Sequence, residues 1–97
     1  MGRPRAGTGA GYLRDMAIIT LLTDYGTTDS YVGEIKGVLL TLCPGVTLVD
    51  LTHEIPPGDL LSAAYVLNRS WHRFPAGTVH LAVVDPGVGT TRAALAF

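Results

Sequence analysis

The chain has 97 residues, 47% of them hydrophobic and 15% charged, with a formal net charge of −1 and a mean hydropathy of +0.34. A chain of this length forms one small domain or part of one, and no apolar run approaches the roughly 18 residues of a membrane span. From Met16 onward four basic residues face seven acidic ones, which argues against nucleic acid as a partner because its phosphate backbone attracts cations.

The two ends of the chain differ from its middle. Residues 1–15 are rich in glycine and arginine and lack the apolar segment of a secretory signal. We therefore expect a disordered N-terminal extension before a domain of residues 16–97, in a cytoplasmic protein. The single cysteine, Cys43, cannot form an internal disulfide, in keeping with that compartment. At the other end, Ala93 to Phe97 is typical of a strand with no stop signal after it, so we expect a chain truncated at its carboxyl end.

The first half of the domain predicts a strand followed by a helix. The continuous apolar run Ala17–Thr23 is typical of a central parallel strand. From Tyr31 to Leu42 apolar side chains recur at helical spacing, at Ile35, Val38, Leu39 and Leu42. Gly33 and Gly37 lie on one side of this helix. They favour close packing there, on a strand or on a ligand, because each glycine otherwise lowers helix stability by roughly 1 kcal/mol relative to alanine.

The second half of the domain repeats this order. Val46–Leu51 predicts a strand, and Leu60–Trp71 predicts a helix with Asp59 as its N-cap. The helix face expected to meet the sheet carries Leu60, Ala64, Leu67 and Trp71. Val79–Val84 predicts a third buried strand, which delivers Asp85 at its end.

Strands and helices therefore alternate, with short loops between them. This order is the signature of parallel βαβ units with right-handed crossovers. We predict an α/β fold of three layers, α/β/α, with a mainly parallel sheet. Ligands of such sheets lie beyond the carboxyl ends of the strands, so the loops after the three strands are the candidate site.

The loop after the first strand contains two carboxylates and three hydroxyls. Asp24, directly at the strand end, is placed to accept the hydroxyls of a ribose, as acidic residues do in nucleotide-binding α/β folds. For Asp29 and Ser30 the sequence leaves two interpretations open, which are contact with a ligand and N-capping of the following helix.

The loop after the second strand contains His53 next to Glu54. We predict no metal site, because the histidines and Cys43 show none of the short repeated spacings of zinc ligands. We expect His53 to order its loop by hydrogen bonding.

The loop after the third strand combines a carboxylate with a guanidinium. Pro86 fixes one φ angle, and Gly87 and Gly89 allow the backbone to approach a small ligand. Asp-Pro-Gly is also an ordinary turn sequence. This loop is longer than a hairpin needs and is bracketed by Asp85 and Arg92, which favours a binding or catalytic site.

The three strand-end loops together resemble one enzyme family. The segments Thr23–Gly33, Val49–Pro57 and Val84–Arg92 are similar to those of the S-adenosyl-L-methionine (SAM) hydroxide adenosyltransferases. These are the SAM hydrolases, which are related to fluorinase and chlorinase. The resemblance extends from Ala17 to Phe97. It implies a longer protein, in which this chain matches the N-terminal part of the α/β domain, a second β-barrel domain is absent here, and a homotrimer holds SAM between subunits.

The resemblance also implies roles for individual residues. Asp24 would bind the ribose hydroxyls, and Asp29 and Ser30 would lie near the amino acid group of SAM. Asp85 and Arg92 match the family's water-activating aspartate and arginine, whose third partner is a histidine beyond the end of this chain. We therefore expect the fragment alone to be inactive. SAM is the substrate, and no metal or redox cofactor is implied.

Two positions distinguish hydrolysis from halide transfer. The fluorinase branch has tyrosine in place of Asp85 and threonine in place of Val88. A carboxylate would repel a halide, whereas water as nucleophile needs a proton acceptor and a nearby positive charge. The implied reaction is attack of water or hydroxide on the ribose C5′ of SAM, giving adenosine and methionine. The alternatives are an adenosyl halide synthase, or a fragment that binds SAM or adenosine without turnover.

Overall fold

The computed structural model describes residues 17–85 and the strand at 93–96. Its elements, in chain order, are β1 (Ile18–Thr23), α1 (Tyr31–Leu42), β2 (Thr47–Thr52), α2 (Leu60–Ser70), a 3₁₀ turn (Trp71–Arg73), β3 (Val79–Val84) and β4 (Ala93–Ala96). The predicted order of strands and helices is confirmed. The extension expected at residues 1–15 lies outside the described residues, as do Val88 and Arg92.

The sheet has the strand order β2-β1-β3-β4. The central strand β1 is parallel to both β2 and β3, and β4 runs antiparallel to β3. The chain leaves β1 towards one side and then returns across it to β3, so right-handed crossovers place α1 and α2 on opposite faces. This confirms the α/β fold with a mainly parallel sheet. It also puts the point where the strand order reverses between the ends of β1 and β3, where α/β folds hold their ligands.

Side-chain contacts identify the helix on each face of the sheet. The buried cluster between the sheet and α2 consists of Leu22, Ile55, Ala63, Ala82 and Val84. On β2, Asp50 is in register with Leu21, and adjacent side chains of a strand alternate between faces. Asp50 therefore points away from the α2 layer, and there its carboxylate accepts a hydrogen bond of 2.7 Å from Lys36 of α1.

The face of α2 that meets the sheet differs from the predicted one. Ala63 is buried, and Val66 and Leu67 pack against the core cluster. Of the four side chains predicted to face the sheet, only Leu67 does so, whereas Leu60 and Trp71 are about half exposed. The helix is apolar on more than one side, so helical periodicity alone did not determine which side packs inward. The small side chain of Ala63 lets the helix approach the strands closely.

Asp59 caps α2 as predicted. One of its carboxylate oxygens accepts the N–H of Ser62 at 3.0 Å, and the other accepts the hydroxyl of Ser62 at 2.6 Å. These hydrogen bonds, led by the one from the hydroxyl, lower the pKa of Asp59 below its ordinary value. The cap fixes the position at which the chain enters α2 from the loop after β2.

Helix α1 packs less tightly than its sequence indicated. None of its residues is buried, and Val38 and Leu42 are largely exposed. A Cβ added at Gly33 or Gly37 would meet no described atom within 4 Å, so close packing of these glycines on a strand is wrong for the described part of the chain, whereas packing on a ligand stays a prediction. Among residues 17–85 the helix is held by its half-buried apolar side chains and by the Lys36–Asp50 ion pair.

One pair of leucines tests this arrangement. Leu22 is 1% exposed and Leu61 is 85% exposed, so the same substitution has different consequences at the two positions. We expect Leu22→Ala to lower the free energy of unfolding by about 2–5 kcal/mol, because it leaves a cavity, and Leu61→Ala to lower it by less than about 0.5 kcal/mol. Urea unfolding measures both values, and equal losses would contradict the placement of α2.

Candidate functional site

The carboxylate of Asp24 joins the ends of three parallel strands. Asp24 directly follows β1, and its Oδ2 accepts two backbone hydrogen bonds of 3.0 Å each, from Gly58 and from Asp85. Gly58 belongs to the loop after β2, and Asp85 directly follows β3. A single oxygen therefore holds the three predicted loops together at the point where the strand order reverses.

The backbone conformation of Gly58 makes one of these contacts possible. Its φ of 76° lies in the left-handed region that favours glycine, and in this conformation its N–H points at Asp24. Hydrogen bonds to a charged oxygen are roughly twice as strong as neutral ones. The carboxylate of Asp24 is thus fixed in direction by main-chain donors, which have little freedom to move.

A second set of contacts fastens the loop after β1 to the loop after β2. The fully buried Thr23 hydroxyl lies 2.8 Å from Nδ1 of His53 and accepts the N–H of Tyr25 at 3.2 Å. The carbonyl of His53 accepts the N–H of Gly26 at 2.7 Å. The residues on both sides of Asp24 are therefore tied to His53, by its side chain and by its main chain.

The side chain of His53 is held in turn by Asp50. His53 is 5% exposed, and its Nε2 lies 2.8 Å from Oδ1 of Asp50. The other oxygen of Asp50 forms an ion pair of 2.7 Å with Lys36. Burial of Asp50 acts to raise its pKa, but the hydrogen bonds from Lys36 and His53 outweigh burial, so the pKa lies below its ordinary value. The expectation that His53 orders its loop is confirmed.

Asp29 and Ser30 lie at the exposed start of α1. Ser30 occupies the N-cap position without a side-chain capping bond, so the capping interpretation is wrong for its hydroxyl. That hydroxyl donates to Glu34 at 2.6 Å, and an oxygen of Asp29 accepts the N–H of Ser30. The two residues thus form a polar group with Glu34, close in sequence to Asp24.

A cavity of about 270 Å³ lies beside this polar group. Its walls are Tyr25, Tyr31, Glu34, Ile35, Val38 and Leu39. The rings of Tyr25 and Tyr31 are 5.7 Å apart and inclined by 49°. A larger cavity of about 590 Å³ lies on the outer side of α2 between Leu61 and Trp71, away from the strand-end carboxylates. We place the candidate site at the strand ends, because the polar groups converge there.

The sequence located Asp24 and Asp85 correctly at neighbouring strand ends, and the structure brings them into direct contact. Their partners Val88 and Arg92 lie outside the described residues, so their positions relative to Asp85 stay predictions. The sequence analysis missed Thr23 and the part played by Asp50. A hydroxyl in the last position of an otherwise apolar strand, facing a loop with a buried histidine, is the signal that could have pointed to them.

The described part of the chain contains neither a group of side chains that could hold a metal ion nor a helix that could span a membrane. Within residues 17–85, no three histidine, cysteine, aspartate or glutamate side chains are grouped closely enough to hold a metal ion. In the same range neither helix combines the length and the apolar character that crossing a membrane requires.

Removing the Asp24 carboxylate tests its role as a fastening group. Asp24→Ala leaves two amides without this acceptor, and each unsatisfied buried donor costs about 1–3 kcal/mol. We expect a lower unfolding temperature and faster hydrogen exchange at the amides of Gly58 and Asp85, measured by NMR. Asp24→Asn keeps an oxygen there and should lose less. Asp29→Ala is the control, and an equal effect of this exposed substitution on those two amides would contradict the assignment.

The lowered pKa of Asp50 predicts a dependence of stability on pH. Because the folded state holds this pKa below its ordinary value of 3.8, ionised Asp50 stabilises the fold above that pH, and the contribution is lost as the pH falls through the folded-state pKa. The stability difference between the wild type and Asp50→Asn should therefore shrink on acidification below about pH 4. Urea unfolding at a series of pH values measures it. Lys36→Met should weaken the same dependence, and a difference independent of pH would refute the explanation.

Comparison with known proteins identifies the family whose sequences these loops match. Residues 19–97 match the family model of the SAM hydroxide adenosyltransferase N-terminal domain. A protein of Thermus thermophilus named (R)-S-adenosyl-L-methionine hydrolase is 49% identical over 81 residues, which are 84% of this chain and 32% of that protein. A fluorinase of Actinoplanes sp. is 39% identical over 80 residues, 82% of this chain and 27% of the enzyme.

A solved structure agrees with these sequence matches. The crystal structure of a conserved hypothetical protein from Thermus thermophilus superposes with a TM-score of 0.69 at 49% identity, covering 78% of this chain and 32% of that protein. The chain thus spans about a third of the length of the hydrolase and of this structure. It belongs to the SAM hydroxide adenosyltransferase family, within the family's N-terminal domain.

Proposed function

We propose that the whole protein hydrolyses SAM to adenosine and L-methionine. The observation that carries this proposal is the hydrogen bond of 3.0 Å by which the Asp85 amide meets the Asp24 carboxylate. It sets the residue proposed to activate water beside the residue proposed to bind the ribose. Water and C5′ must meet at close range in such a reaction, and holding reactants in position supplies much of the catalysis.

The proposed roles follow the strand ends. Asp24 accepts the ribose hydroxyls, with its carboxylate held in direction by the amides of Gly58 and Asp85. Asp29 and Ser30 bind the amino acid group of SAM at the start of α1. A carboxylate and a hydroxyl are suitable partners for that group's ammonium and carboxylate.

Asp85 and Arg92 are the proposed catalytic pair. Asp85 takes a proton from water, and the charge of Arg92 stabilises the developing hydroxide. The water oxygen forms a bond to C5′, the C5′–S bond breaks, and its electron pair returns to sulfur, which becomes the neutral thioether of methionine. Val88 supplies an apolar wall next to the nucleophile. Because the sulfonium is already a good leaving group, the reaction as proposed needs neither a metal nor a redox cofactor.

Hydrolysis is favoured over halide transfer by two observations. The chain is more similar to the hydrolase than to the fluorinase, at 49% against 39% identity. It also has a carboxylate at Asp85, and a negative charge in the nucleophile's pocket disfavours a halide.

The proposal extends to the assembly and the location of the protein. We propose a cytoplasmic homotrimer with a second, β-barrel domain, which binds SAM between subunits and neither nucleic acid nor membrane. The family resemblance supports the trimer. Exposed apolar side chains on α2, among them Leu61 and Tyr65, also favour contact with further protein, because such patches mark interaction surfaces.

Replacing Asp85 in the whole protein tests the proposed reaction. We expect Asp85→Ala to lower the rate of adenosine formation from SAM by about 10²–10⁴-fold, because the general base is lost. Chromatography of the products measures the rate, with each epimer at the sulfonium tested separately because the hydrolase relative is named for the (R) form. Glu54→Ala, which removes an exposed carboxylate from the neighbouring loop, is the matched control for the loss of negative charge at the strand ends, and we expect it to lower the rate far less.

Three outcomes would contradict the proposal. Wild-type turnover in Asp85→Ala would remove the catalytic role of this carboxylate. Formation of 5′-chloro-5′-deoxyadenosine in the presence of chloride would identify a halide synthase. Calorimetric binding of SAM without release of methionine would identify a binding protein.

A further inference from the structure

Behind the candidate site lies a continuous line of polar side chains that the proposed reaction does not use. It runs from Lys36 on α1 through Asp50 and His53 to Thr23, with each contact between 2.7 and 2.8 Å. It ends at the N–H of Tyr25, which Thr23 accepts at 3.2 Å. Thr23 and His53 are buried, and burying polar groups is costly unless each is hydrogen-bonded, so the buried end of this line calls for a role.

For a neutral imidazole at His53, the partners assign the direction of each hydrogen bond in this line. Asp50 is an acceptor only, so it accepts from Lys36 and from Nε2–H of His53. Nδ1 of His53 is then an acceptor and takes the single hydroxyl proton of Thr23. The lone pairs of Thr23 remain for the N–H of Tyr25. The assignment gives the Nε2–H of His53, the hydroxyl of Thr23 and the N–H of Tyr25 one acceptor each, and it makes the orientation of the Thr23 hydroxyl depend on His53.

We propose that Thr23 and His53 are positioning residues for the substrate-binding carboxylate Asp24, an inference that rests on the proposed function. Asp24 lies between Thr23 and Tyr25 in the chain, so a fixed hydroxyl that holds the Tyr25 amide also fixes the backbone of Asp24. His53 holds the far side of the same turn through its carbonyl and Gly26. The turn is thereby set before ribose binds, and binding costs less ordering.

The same strand contains a matched internal control. Thr20 is also fully buried in β1, and its hydroxyl lies 2.7 Å from Nδ1 of His80. This second threonine–histidine pair lies on the α2 face, in the middle of the sheet and away from the strand-end loops. Removing either hydroxyl deletes one buried hydrogen bond to a histidine, but only the one on Thr23 is connected to Asp24.

The test compares Thr23→Val with Thr20→Val in the whole protein. We expect both to lower the unfolding temperature, and Thr23→Val to lower it more because its hydroxyl also accepts the N–H of Tyr25. Only Thr23→Val should raise the KM for SAM, by about fivefold to tenfold, with a smaller change in kcat, as loss of uniform binding requires. Thr23→Ser keeps the hydroxyl and should restore KM. In an Asp24→Ala background, Thr23→Val should have no further effect on KM, because residues that act through one another are not additive.

Two substitutions of His53 separate its two contacts. His53→Asn places a polar atom near the position of Nδ1 and can keep the bond to Thr23, whereas His53→Gln reaches the position of Nε2 and can keep the bond to Asp50. We expect His53→Asn to have a KM closer to the wild type than His53→Gln has. Binding of adenosine, measured by calorimetry, should follow the same order.

The results distinguish the possible failures. If the wild-type protein releases no adenosine from SAM, the proposed function is wrong, and adenosine binding still tests the positioning role. If the wild type is active but Thr23→Val and Thr20→Val change KM equally, the inference is wrong and the Thr23–His53 pair is only structural. An additive effect of Thr23→Val in the Asp24→Ala background would also overturn it.

Discussion

The structure depends on one carboxylate oxygen at the centre of the sheet edge. Oδ2 of Asp24 accepts amides from the loop after β2 and from the first residue after β3. These segments are far apart in the chain, and the parallel pairing of β1 with β2 and with β3 brings them to the same edge of the sheet. A charged acceptor at the end of the middle strand then joins them, because its two donors approach it from the two neighbouring strands. The geometry of the candidate site is therefore a consequence of strand order together with one ionised side chain.

Burial of polar groups in this fold follows the same logic. A strand covered on both faces offers no water to its side chains, yet β1 buries both Thr20 and Thr23 completely. Each hydroxyl meets a histidine nitrogen, so the cost of removing it from water is offset by a hydrogen bond. The two pairs differ in the second contact that each histidine ring makes. His80 contacts the ring of Phe74, whereas His53 meets a carboxylate, which gives the second pair a defined direction.

The sequence predicted the secondary structure well, but it predicted the packing of side chains and the backbone contacts poorly. The strands were predictable because β1 and β3 are continuous apolar runs, and the helix α1 because its periodicity is clear. The packed face of α2 was not predictable, since apolar side chains surround that helix and the choice depends on which one fits the strands. Asp24 could be singled out by its place at a strand end. The two amides that bind Asp24 could not be predicted, because every residue except proline has a backbone amide. Which amides donate to Asp24 depends on how the three loops meet in the fold.

Charge at the strand ends connects this geometry to the proposed chemistry. The loops after the first two strands and the end of β3 carry carboxylates and no lysine or arginine; the carboxylates are Asp24, Asp29, Glu54, Asp59 and Asp85. Such a concentration of negative charge attracts cations and raises their local concentration. SAM carries a positive sulfonium and an ammonium, and both products, adenosine and methionine, lack the sulfonium charge. In the proposed reaction, this concentration of negative charge would favour SAM over both products and would disfavour a halide as the attacking group. Arg92 follows Asp85 in the sequence, and in the proposed reaction it supplies the charge that compensates a hydroxide.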